Sequence, residues 1–129
     1  MITEEMKALI DRELAIVATV DQAGDPNIGP KRSMRYYDAK TLMFNENTGG
    51  QTMANIEQNG KIEVAFIDRQ ALKGYRFMGK AEMQTSGPLY EEAKLWAQGK
   101  MKEPKAVGII HIERVFNLQS GPNAGKEIL

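Results

Sequence analysis

The segment Asn45-Glu46-Asn47-Thr48-Gly49-Gly50-Gln51-Thr52 gathers the residues best suited to hold a ligand. A glycine pair lets backbone N–H groups approach a bound group closely. The helix formers that follow would begin with unpaired donors and the positive end of a helix dipole. Thr48, Gln51 and Thr52 add side-chain donors, so the segment suits a phosphate. An isolated loop of this kind is more often an ordinary αL glycine turn with Thr48 as the helix cap. It is not a Walker loop, because no Lys-Ser/Thr pair follows the glycines.

A second group is Lys31-Arg32-Ser33-Met34-Arg35, within a stretch from Pro26 to Tyr37 that reads as one strand. Alternation puts Ile28, Pro30, Arg32, Met34 and Tyr36 on one face and Asn27, Gly29, Lys31, Ser33 and Arg35 on the other. Arg32 then shares its face with Ile28 and Met34. If that face packs inward, the guanidinium needs a buried anion, which a ligand phosphate would supply. If it faces water, the charges are a solvated strand end. Tyr36, Tyr37 and Tyr75 could each flank a ring, though aromatic residues are common in strands. Trp96 shares a helix face with Leu89 and Ala93, which points to core or interface packing. His111, in a run of β formers, reads as structural.

These groups need elements to position them. Thr3 can cap a helix with Glu4 and Glu5 in its first turn and Met6, Leu9 and Ile10 on one face, ending near Glu13. LAIVATV from Leu14 reads as a strand, Asp21 to Asp25 as a turn, and Pro26 to Tyr37 as the returning strand of a hairpin. Asp38-Ala39-Lys40 is another turn before a third strand, Thr41 to Asn45. A short helix follows the glycine loop, with Met53, Ala54 and Ile56 on one side and Gly60 as its stop. KIEVAFID and YRFMGKAEM alternate as half-buried strands. Pro88 and Gly99 bracket a third helix, and Val107 to Gln119 forms a last strand that breaks near Arg114. GPNAGKEIL reads as a loop-like tail. Short connections favour antiparallel pairing, and a barrel covers the strand edges better than a sandwich.

The blocks AIVATVDQAGDPNIGPKRSM, TLMFNENTGGQTMANIEQNGKIEVAFID, GYRFMGKAEM and HIERVFNLQSGPNAGK, taken in order, resemble the pyridoxamine 5'-phosphate oxidase-like FMN-binding split-barrel family from about Leu14 to Lys126. The resemblance implies a mainly β fold with small helices: a six-stranded antiparallel Greek-key split β-barrel. It also implies a homodimer with two FMN molecules in clefts between subunits. Pro30, Lys31, Arg32 and Ser33 would then hold the isoalloxazine edge, and Asn47, Thr48, Gln51 and Thr52 the phosphate. Many relatives carry Lys or Arg near the position of Gln51, so here the positive charge falls to Lys31, Arg32 or Arg35. The chain is shorter than the oxidase that makes pyridoxal phosphate, and that enzyme's substrate-phosphate residues find no match, so that activity is not expected.

Composition bounds the rest. The 129 residues suit a single domain, 1–129. They contain no cysteine and one histidine, which excludes thiol catalysis and Cys-type metal centres and leaves no histidine cluster. Lys and Arg number 17 against 17 Asp and Glu, so no net field draws nucleic acid or anionic membrane. The N-terminus lacks a signal-peptide pattern and no run approaches a membrane span, so a cytoplasmic protein is expected. The leading expectation is an FMN-dependent oxidoreductase or electron carrier acting on an unidentified small molecule or redox partner. Against it stand a non-catalytic barrel that sequesters a flavin or haem, and a dimeric barrel whose ligand site has decayed.

Overall fold

The computed structural model describes residues 1–128. In chain order its elements are α1 (Glu4–Arg12), β1 (Ala15–Val20), β2 (Pro26–Lys31), β3 (Arg35–Asp38), β4 (Thr41–Glu46), α2 (Gln51–Asn59), β5 (Lys61–Asp68), β6 (Lys73–Gln84), α3 (Pro88–Ala97), β7 (Ala106–Asn117) and β8 (Glu127–Ile128). All strand pairs are antiparallel, in the order β2-β1-β5-β6-β7-β4-β3, with β8 added to β7.

The strand expected over Pro26 to Tyr37 is bent. Its first half, β2, pairs with β1 and its second half, β3, pairs with β4. The two ends of the sheet are therefore joined by one short turn at residues 32–34, closing the sheet into a split barrel. Among the described residues eight strands are present where six were expected. Counting β2 and β3 as one bent strand and setting aside the two-residue β8 recovers six. The fold class holds, and the tail read as a loop contributes β8. The break expected near Arg114 is a bulge: Met78 pairs with Arg114 and Gly79 with Ile112, leaving Glu113 unpaired within an unbroken β7.

The interior is filled from alternating positions. Val17, Leu42, Phe44, Ile62, Val64, Phe66, Phe77, Ile110 and Ile112 are buried in one cluster, with Met6, Leu9 and Ile10 of α1 packed on it. Strand β4 is buried along its whole length. One face lines the barrel, while Met43 on the other joins Ala93 of α3, Val107 and Ile109. Thr3 caps α1 by accepting the Met6 N–H, and Gly60 ends α2 in the left-handed conformation. On α2 the buried pair is Asn55 and Ile56; Ala54, expected beside them, is exposed because the helix lies on its polar Asn55 edge.

Candidate functional site

The β2–β3 bend and the β4–α2 loop meet at one end of the barrel, and their side chains are largely turned on each other. Residues 42, 44 and 46 share a face of β4, so Glu46 points to the same side as Leu42 and Phe44. Its side chain is fully buried. Lys31 reaches it from β2 with Nζ at 2.7 Å from one carboxylate oxygen and 5.3 Å from the Phe44 ring centre. The other oxygen accepts the Thr48 N–H at 3.1 Å, the Thr48 hydroxyl at 2.8 Å and the Gly49 N–H at 2.9 Å. Burial pushes the Glu46 carboxyl up, but Lys31, Gly49 and Thr48 outweigh it and leave it below the ordinary carboxylate value. From outside, Lys105 Nζ donates to the Thr48 carbonyl at 3.2 Å. Of the donors that suited a phosphate, Thr48 and the Gly49 N–H therefore surround a carboxylate of the chain itself.

The bend is held by a second network. Ser33, buried, donates its hydroxyl to the Asn45 carbonyl at 3.1 Å and accepts the Asn45 N–H at 2.8 Å. Arg35 donates to the Ser33 carbonyl and to Asn45 Oδ1, and its guanidinium lies 4.2 Å from the Trp96 ring centre. Asn45 Nδ2 donates to the Ala93 carbonyl of α3. Burial pulls Arg35 down to about 10 against the opposing influence of Glu92, so it stays charged at neutral pH. Trp96 thus packs under Arg35, with Lys100 also 4.5 Å from its ring centre.

Helix α2 is stitched to the barrel by amides. Asn27 Nδ2 donates to Thr52 Oγ1 at 3.1 Å, Gln51 Nε2 to Asn55 Oδ1 at 2.6 Å, and Asn55 Nδ2 to Thr19 Oγ1 at 3.0 Å. The N-cap is Gly50, not Thr48, and no side chain caps the helix start, so its first N–H groups are open. Asn47 donates to the Lys102 carbonyl, while its Oδ1 is buried without a hydrogen-bond partner among the described residues.

The sequence-predicted residues do come together, but not as a shared ligand shell. Ser33 and Thr48 are engaged within the chain, and so are the Lys31 ammonium and the Gln51 amide nitrogen. Thr52 keeps its hydroxyl proton free to donate. Pro30 and Arg32 are exposed. Of the two readings of the Arg32 face, the bend leaves the solvent-facing one: β2 turns Ile28 and Pro30 outward, and the turn at residues 32–34 breaks the period of two, so that Met34 is buried and Arg32 is not. Strand β2 ends the sheet path, so its outer edge has no ladder partner along Pro26–Lys31 among the described residues. His111, expected to be structural, is exposed on β7 at 3.4 Å from Glu82. Tyr36 and Tyr75 pack on the core, and Tyr37 is exposed. The residue that sequence reasoning missed is Glu46, whose one signal was an acidic side chain in a loop of donors.

As for an FMN, an unpaired strand edge beside Arg32 and an open helix start fit its ring and polar chain. The filled loop does not fit its phosphate. A groove of about 420 Å³ lies away from the bend, lined by Ala18, Lys61, Glu63, Met78 and Lys80.

Residues 2–119 match the pyridoxamine 5'-phosphate oxidase family. Among solved structures, Group A Streptococcus HupZ, in an affinity-tagged form, is 70% identical with a TM-score of 0.92, covering 97% of this chain and 100% of that one. A Lactobacillus delbrueckii protein provisionally assigned as a pyridoxamine 5'-phosphate oxidase is 31% identical with a TM-score of 0.78, covering 88% of this chain and 92% of that one. An FMN-binding protein from Syntrophomonas wolfei, 15% identical over 90% of this chain and 85% of that one, shares the fold with a TM-score of 0.76. With the bent-strand barrel and the match over most of its length, the chain belongs to the pyridoxamine 5'-phosphate oxidase family.

Proposed function

We propose that this protein is a flavin-binding split barrel that works as a homodimer, with the flavin lying between the subunits along Pro30 to Ser33. The observation that carries the reading is the free edge of β2 leading directly into the bend. Pro30 has no N–H, so at this end the edge offers the Pro30 carbonyl to the ring N–H of an isoalloxazine, with the Arg32 and Ser33 N–H groups as donors to its ring oxygens. The family membership supports the same reading. The chain's own task there is to orient the ring through the backbone of Pro30 to Ser33 and to place the Arg32 charge beside it. Thr52 and the open start of α2 are placed to donate to the polar chain of the ligand. When bound, a flavin would supply hydride or electron transfer at its own ring, which makes an oxidoreductase or electron carrier for a small molecule the best-supported role.

The surface supports a dimer. One row of the outer sheet face runs Ile28–Ala18–Glu63–Met78 and the next Pro30–Ile16–Ala65–Arg76. Ile28 is 74% exposed. A mostly apolar face continuous with the candidate ligand edge is covered by a second copy, which also supplies the missing wall of the cleft.

A visible spectrum tests the reading. Purified protein mixed with FMN or riboflavin and freed of excess ligand is expected to show oxidised flavin bands at about 375 and 450 nm. A colourless product with both ligands would overturn it.

A second reading, a non-catalytic barrel that binds its ligand without turning it over, is favoured by one feature. The loop donors that would anchor a phosphate are engaged by Glu46.

A further inference from the structure

We propose that Glu46 is the resident anion of the β4–α2 loop and the residue that sets ligand specificity, so that the barrel discriminates against holding a flavin through its phosphate. The inference deepens the flavin reading and rests on it for the class of ligand. The consequence is that riboflavin binds at least as well as FMN.

The anion position of the loop is already occupied. A phosphate monoester needs backbone N–H groups, a hydroxyl and a cation converging on one point. Here the Thr48 and Gly49 N–H groups, the Thr48 hydroxyl and the Lys31 ammonium do converge, all within 3.1 Å of a Glu46 carboxylate oxygen. The carboxylate sits where the anion would. A phosphate entering beside it would place like charges within a few ångströms in a desolvated site, which is unfavourable.

Nor can Glu46 easily step aside. Its side chain is wholly buried and its backbone is fixed in β4, paired with Ala106. Its carbonyl accepts the Lys105 N–H at 2.8 Å, and the Lys105 side chain holds the loop from outside at Thr48. Swinging the carboxylate out would leave the Lys31 ammonium, itself 15% exposed, facing the Phe44 ring without a counter-charge.

The proposal makes Glu46 replaceable by a free anion. In Glu46→Ala both the charge and the side chain that fills the site are removed, so Lys31 and the loop donors are left short of an anion with room for one. Inorganic phosphate is then expected to raise the melting temperature of this variant and not of the wild type. The effect is expected to vanish in Glu46→Ala combined with Lys31→Met. Binding titrations run in parallel should show wild-type affinity for FMN no greater than for riboflavin. The FMN-to-riboflavin preference should rise about tenfold or more in the Ala variant, the scale of one charged hydrogen bond regained. Should the Ala variant fold poorly, Glu46→Ser, which likewise removes the charge and frees the space, is expected to shift the preference the same way.

The outcomes are separable. Flavin binding with an unchanged preference and no phosphate effect would overturn the role of Glu46 and leave the flavin reading intact. A wild type that prefers FMN tenfold would also overturn it. Phosphate stabilising the Ala variant while no variant binds flavin would support the resident anion and overturn the flavin reading.

Discussion

The side chains at the barrel end are mostly spoken for, and that sets what each substitution should do. Ser33 satisfies both backbone groups of Asn45 from a buried position. Ser33→Ala orphans them, and a loss of about 1–3 kcal/mol in denaturant stability is expected. A neutral result would return Ser33 to a ligand-facing role. The Glu46 carboxyl makes the chain's stability pH-dependent. Because its folded value lies below the ordinary 4.5, its contribution is complete above that pH and is lost as pH falls through the lower folded value. Urea midpoints measured from pH 7 down to pH 3 should therefore fall further in the wild type than in Glu46→Gln. Asp38, Asp68 and Glu127, also lowered, titrate in both proteins and cancel in the difference. Parallel curves would show that Glu46 is not held as a carboxylate. Neither network was readable in the sequence. Lys31 and Glu46 lie 15 residues apart, Ser33 and Asn45 lie 12, and nothing local marks them as partners.

At the scale of elements, local chemistry was a better guide. The alternation of β5 and β6 was legible because each has one face in the core. The turns before β2 and β4 were legible because Asp21 and Asp38 accept N–H groups two residues on. The bend between β2 and β3 was not, since residues 26–37 keep a strand-like composition through it, and only pairing with two different neighbours distinguishes the halves. The bulge at Glu113 is likewise a matter of register. Next to it, Gly79 packs so closely on β7 that an added Cβ would meet the His111 carbonyl oxygen at 2.2 Å. Gly79→Ala must push β6 from β7, and a loss of about 3 kcal/mol is expected by chemical denaturation. A loss under about 0.5 kcal/mol would mean that the two strands are held less closely.

For the whole molecule, the split barrel was legible in the order of blocks, whereas the proposed dimer rests on the side chains that the fold turns outward. The outer face of β1, β2, β5 and β6 carries Ile28, Ile16, Ala18, Ala65 and Met78 around the edge that the flavin reading uses. Ile28→Asp places a charge in that face. It is expected to shift the protein toward the monomer and to weaken flavin binding together, while leaving the fold unchanged, since the Ile28 side chain lies outside the core. A variant that stays dimeric and binds flavin as before would move the interface elsewhere.

The most direct test of the account is sedimentation of the protein with excess riboflavin, followed at about 450 nm, where the oxidised ring absorbs. The account predicts that the colour travels with a species of twice the 14.4 kDa chain mass. Colour left behind with the free ligand, or carried by a species of 14.4 kDa, would contradict it.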